Sequence, residues 1–142
     1  MSLRFKQAQH VRTLSSERGR VWCWRVDHGV YATEVEGHLD AEMARLLRDA
    51  AEPMYALGTV DGFHNWLDMT SYATQARVEL TEWALEYRAK TQMVIGVRSK
   101  LVAMGISVAN LALGNLIRVH TSAEALEADL DRRLREPTPK RL

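Results

Sequence analysis

Cysteine is nearly absent: Cys23 stands alone among 142 residues. An intramolecular disulfide is therefore impossible, and a cysteine-rich zinc site is excluded. A single thiol fits a reducing compartment, so the chain is expected in the cytoplasm. Proline is scarce as well, with only Pro53, Pro137 and Pro139. Excess charge of either sign is missing too: 19 basic and 18 acidic residues leave a formal net charge of +1. That balance removes the basic footprint that nucleic-acid binding requires. It also weakens purely electrostatic attachment to a membrane. No apolar run reaches about 18 residues, so no transmembrane helix is expected. The opening Met1-Ser2-Leu3-Arg4-Phe5-Lys6-Gln7 has no apolar segment of the signal-peptide kind. Glycine-rich phosphate loops are absent, so nucleotide binding has no motif behind it.

What is present is an ordinary globular composition, 46% apolar and 26% charged. It suits one domain with a real core. Residues 1–19 carry few large apolar groups and read as an arm or a weakly specified first strand. Residues 20–136 carry the periodic pattern, and 137–142 form a tail. Val21–Val26 and Val30–Glu36 are rich in β-branched and aromatic residues, with Asp27-His28-Gly29 between them, which reads as a hairpin. Asp40 is placed to cap a helix whose buried stripe is Leu39, Met43, Leu46, Leu47 and Ala50. Pro53 should end or kink it. A strand follows over about Gly62 to Asp68. The next helix puts Ala76, Leu80, Trp83, Ala84 and Tyr87 on one face, with Glu79 and Glu86 opposite. Gln92–Val97 reads as a strand buried on both faces. Ser99 should cap a helix over Leu101–Leu113, ended by Gly114-Asn115. Leu116–His120 is the last strand. Thr121 and Glu124 have capping-box spacing, and Leu126, Leu130 and Leu134 make the ridge of a last helix. Pro137 and Pro139 should stop it. The expected fold is α/β, a four- to five-stranded mixed, mostly parallel sheet with four helices in the order ββαβαβαβα.

Two groups of residues stand out as candidate sites. The strand ending at Asp68 runs into hydroxyls at Thr70, Ser71 and Thr74. The carboxyl end of an α/β strand and the start of the next helix are where such folds place ligands and anions. These side chains could equally cap the helix and satisfy local amides. The second group lies in Leu101–Leu113, a segment without a single charge. A helix apolar all round is buried or meets something apolar. Leu101, Met104, Val108 and Leu111 are its candidate interface. A homodimer or an apolar pocket is favoured over membrane docking, because only Lys100 flanks the segment.

The histidines match no compact metal motif, and no metal or cofactor is expected. His120, at a strand end, could approach Asp68 if their strands are neighbours. Without a nucleophile in a recognisable turn, such a pair is weak ground for catalysis. Cys23 reads as core packing.

The order of elements resembles that of the STAS domains of bacterial anti-sigma-factor antagonists. Leu67-Asp68-Met69-Thr70 looks like the family's Asp-Leu-Ser strand end. The segment from Leu116 to Leu126 looks like its last strand and helix, and the resemblance covers roughly residues 20–135. The family's regulatory members carry a phosphorylated serine in an Asp-Ser-Ser-Gly stretch. Here Val78, Glu79 and Leu80 stand at that distance, so the chain is more similar to the divergent SpoIIAA-like branch, related to lipid-binding Sec14-like domains. The resemblance implies a non-enzymatic regulatory or protein-interaction domain. The alternative is a carrier or sensor of a small apolar, lipid-like ligand with peripheral membrane association.

Overall fold

The computed structural model describes residues 9–27 and 29–136. Six strands form one sheet in sequence order, β1 (Gln9–Ser15), β2 (Gly19–Asp27), β3 (Val30–Leu39), β4 (Val60–Tyr72), β5 (Thr91–Val97) and β6 (Ile117–His120). The first three are joined antiparallel; from β3 onward every neighbour is parallel. Among the described residues, four α-helices complete the fold, α1 (Ala41–Tyr55), α2 (Thr74–Glu86), α3 (Lys100–Leu113) and α4 (Ala123–Arg135), with a short 3-10 turn at Arg88–Lys90. The mixed α/β class and the four helices are as expected. The sheet has one strand more, because Gln9–Ser15 within the expected arm pairs with β2. Thr13 helps hold it there, its hydroxyl donating to the Val21 carbonyl at 2.8 Å. His28 in the hairpin, Pro137 and Pro139, the tail and residues 1–8 lie outside the described residues.

Strand alternation divides the core in two. Val21, Cys23, Tyr31, Val35 and Trp66 point to the face covered by α1, α2 and α3. Trp24, Ala32, Phe63 and Val94 point to the other, which α4 covers with Leu126 and Leu130. Both leucines are fully buried. Gly96 lets α4 come this close: a Cβ there would lie 3.0 Å from Leu126.

Local signals set most boundaries. Asp40 caps α1, accepting from the Met43 N–H at 2.8 Å, and Ser99 caps α3 through Val102. Gly114 ends α3 in the left-handed region, at φ +70°. Pro53 sits inside α1, which runs only to Tyr55 beyond it. The cap of α4 is Ser122, which accepts from Ala125, rather than the expected Thr121. Glu79 and Glu86 are not simply solvated; both pair with Arg48 of α1, at 2.7 and 3.0 Å, and tie α2 to α1.

The largest departure is in β4, which continues four residues past Asp68. Two register shifts against β3 each give β4 an extra residue: Glu34 and Glu36 oppose Asn65 and Asp68, while Gly37 and His38 oppose Met69 and Ser71. Such bulges break the two-residue alternation. Trp66, Met69 and Tyr72 consequently face the helices at intervals of three. A pattern reader looking for strict alternation loses the strand at that point.

Candidate functional site

Thr70 and Ser71 continue strand β4 and Thr74 opens α2, so the residues after Asp68 do not form one loop. Asp68 and Thr70 are exposed on β4. Asp68 meets Arg98 at 3.4 Å, with both side chains mostly in water. Such a pair contributes little. Ser71 is half-buried and bonded to the neighbouring strand, its Oγ 2.8 Å from His38 Nδ1. Thr74 is the first residue of α2, whose cap, Ala73, offers no side-chain bond. The four side chains do not converge on one point.

His120 does not reach Asp68 either, because β5 lies between β4 and β6. Its Nε2 sits 2.8 Å from Asp129 of α4. Asp129, only 4% exposed, also accepts from Arg118 at 2.8 Å and Arg132 at 2.6 Å. Burial alone would raise this carboxyl, but the bonds from His120 and the two arginines outweigh it and hold it below its ordinary value. The network fastens α4 to β6. No sequence motif announced it, since Asp129 sits mid-helix among other charges.

The uncharged helix behaves differently on its two sides. Val102, Ile106 and Leu113 are buried against the sheet. Leu101, Met104, Val108 and Leu111 point outward, 52%, 65%, 56% and 80% exposed. These are four apolar side chains at helical spacing in contact with water. Singly such residues are common on surfaces; a contiguous stripe of them marks a contact face.

Beneath α3 the packing is incomplete. A cavity of about 80 Å³ lies between α2, α3 and the sheet. Trp66, Met93 and Ile95 form its floor, Ile106, Ala109 and Leu113 its roof, and Leu80 and Ala84 its side. Arg77, exposed on α2, stands at its mouth. The wall is almost wholly apolar, with His64, Tyr72 and Thr81 as its other polar members. Gly105 allows this close approach, since a Cβ there would run into the Tyr72 hydroxyl.

His64 is a polar residue deep in this region, 1% exposed and enclosed by Tyr31, Trp66 and Trp83. Its Nδ1 is 2.8 Å from Thr33 Oγ1, which also accepts from the Trp66 indole at 3.0 Å. Burial drives its pKa from 6.5 down to about 3, so it is neutral at neutral pH. In the sequence, His64 is marked only by its place two residues before Trp66, on the same side of a strand. Cys23 is fully buried, and burial pushes its thiol up, away from the reactive thiolate.

No family model matches the sequence, and no curated protein is similar to it. Its structure is similar to that of an uncharacterised protein of the DUF3478 family from Shewanella loihica PV-4, which has a SpoIIAA-like fold. The TM-score is 0.56 at 12% identity, over 85% of this chain and 92% of that one. The likeness is one of fold. The chain has a SpoIIAA-like α/β fold, as its order of elements implied.

Proposed function

We propose that the chain is a non-enzymatic binding domain that takes up a small apolar ligand under α3. The observation behind this reading is the apolar cavity, roofed by α3 and with the exposed Arg77 in its wall. Well-packed interiors hold few voids larger than a water molecule. An apolar cavity of about 150 Å³ stays dry and accepts a benzene-sized guest. This one, at about 80 Å³, has room for a few carbons inside its mouth. A longer ligand would keep its other end near the Arg77 guanidinium. The described residues bring together no activated nucleophile and no acid–base pair in the cavity, where His64 is neutral and bonded to Thr33. Binding, not turnover, is the chemistry that such a site supports.

A second reading rests on the outer face of α3. The stripe Leu101, Met104, Val108, Leu111 is spaced three, four, three, the same read in either direction. Two antiparallel copies could therefore match it about a two-fold axis. Lys100 would then lie by the partner helix's C-terminus, where free carbonyls favour a cation. This is the protein-interaction reading, with a second copy or a regulatory protein as partner.

The readings separate experimentally. Ala109→Phe fills the cavity from the roof and should abolish uptake of an apolar dye while leaving self-association alone. Val108→Asp on the outer face should do the reverse. Dye uptake unchanged by Ala109→Phe would remove the ligand reading.

A further inference from the structure

We propose that the polar hollow beside α4 binds a phosphoryl oxyanion, held by Arg133 together with Arg118 and Arg132. The hollow lies on the opposite face of the sheet from the apolar cavity, and the two sites stand independently.

Strand register builds the hollow. Phe63, Val94 and Arg118 lie in one row across β4, β5 and β6. Two residues earlier on the same faces, Asp61 pairs with Gln92. There β6 supplies nothing, because it begins level with Met93. Arg132, Arg133 and Glu136 reach the hollow from the last turn and cap of α4. With Asp129 they complete a wall around about 190 Å³.

Arg133 marks what is missing from it. Its side chain is only 13% exposed, and its Nε donates to Asp61 at 2.5 Å. Nη2 of the same guanidinium is buried and meets no acceptor among the described residues. Buried polar groups are as a rule paired, and a donor on a charged group left unmet is costly. Arg133 lines the hollow, so an acceptor bound there can meet it.

Charge selects an anion. Asp129 is shared by Arg118 and Arg132, and Asp61 is taken by Arg133. Three guanidinium groups therefore share two carboxylates and keep donors to spare. Glu136, which also lines the hollow, is exposed, so water screens its charge. The C-terminal carbonyls of α4 favour cations, which accounts for arginines gathering here. They leave Nη2 of Arg133 unmet all the same. A planar carboxylate fills one guanidinium fork. A phosphoryl group offers three oxygens and about two charges, and so suits donors arriving from both a strand and a helix.

The test is a titration of inorganic phosphate into ¹⁵N-arginine-labelled protein at constant ionic strength. The guanidinium signals of Arg133 should move and saturate, and acetate should move them several-fold less. Glu136→Gln, an exposed change, should tighten phosphate binding about two- to fivefold by removing a like charge. Arg132→Gln should weaken it by a similar factor. Arg133→Gln should lower affinity roughly tenfold or more, the size of a hydrogen bond to a charged group. Phenyl phosphate, titrated in parallel, separates the sources: tighter binding assigns the site to an ester, and equal or weaker binding to the free ion. Arg133 signals that stay fixed with both phosphates, or that move equally with phosphate and acetate, would overturn the proposal and leave the apolar cavity untouched. The two exposed variants keep the test decisive where Arg133→Gln folds poorly.

Discussion

A single imidazole has a clear thermodynamic consequence here. His64 titrates near 6.5 when exposed and near 3 in the fold. Between these values the unfolded chain holds a proton that the folded chain does not. Stability is therefore fully present above pH 6.5 and falls as pH drops toward 3, by about 1.4 kcal/mol per unit from this group. Denaturant titrations at pH 7 and pH 5 should show this loss. His64→Phe should flatten it, and an unchanged slope in that variant would assign the acid sensitivity elsewhere. Gly62 belongs to the same argument. With Nε2 2.5 Å from a would-be Cβ, Gly62→Ala forces the ring to shift and should destabilise by about 1–3 kcal/mol. Asp129 is the corresponding residue on the other face. Asp129→Asn leaves Arg118, His120 and Arg132 without their shared carboxylate and should destabilise by about 2 kcal/mol in urea unfolding.

The elements differ in how much they contribute. Helix α4 alone covers its face of the sheet, through the fully buried Leu126 and Leu130. Leu130→Ala should therefore destabilise by about 2–5 kcal/mol, read as a lowered urea midpoint. Helix α3 should respond differently along its outer face. Val108→Asp removes no buried contact and should change stability by less than about 0.5 kcal/mol while lowering self-association in analytical ultracentrifugation. What was legible in the sequence follows the same division. Helices with a polar face, a cap and a stop, such as α1 with Asp40, were readable because each signal acts locally. Strand β4 was cut short at Asp68 because its two bulges arise from pairing with β3, which no local pattern contains. That error carried into the site, turning Thr70 and Ser71 from strand residues into a supposed loop. The exposed stripe of α3 was readable as apolar residues at helical spacing. The cavity was not, since a void is defined by what several distant segments fail to fill. Gly105 and Gly62 each mark a close approach, but which partner approaches is set by the tertiary fold.

At the scale of the molecule, a SpoIIAA-like sheet has three helices on one face and one on the other. The crowded face holds the apolar cavity, whereas the hollow beside α4, lined by Asp61, Arg118, Asp129 and Arg133, is polar. The asymmetry has a physical origin. Helix α4 lies directly on the sheet through two leucines and is held by the Asp129 network. Helices α2 and α3 share a wider space whose glycine and alanines, Gly105, Ala84 and Ala109, leave it underfilled. The cavity, the buried His64 and the outward stripe of α3 all belong to this one side. The most direct test is native mass spectrometry of the purified protein, paired with denaturing extraction of bound small molecules. The account predicts a reproducible apolar adduct that Ala109→Phe abolishes. A protein of bare mass that takes up no apolar dye would contradict it.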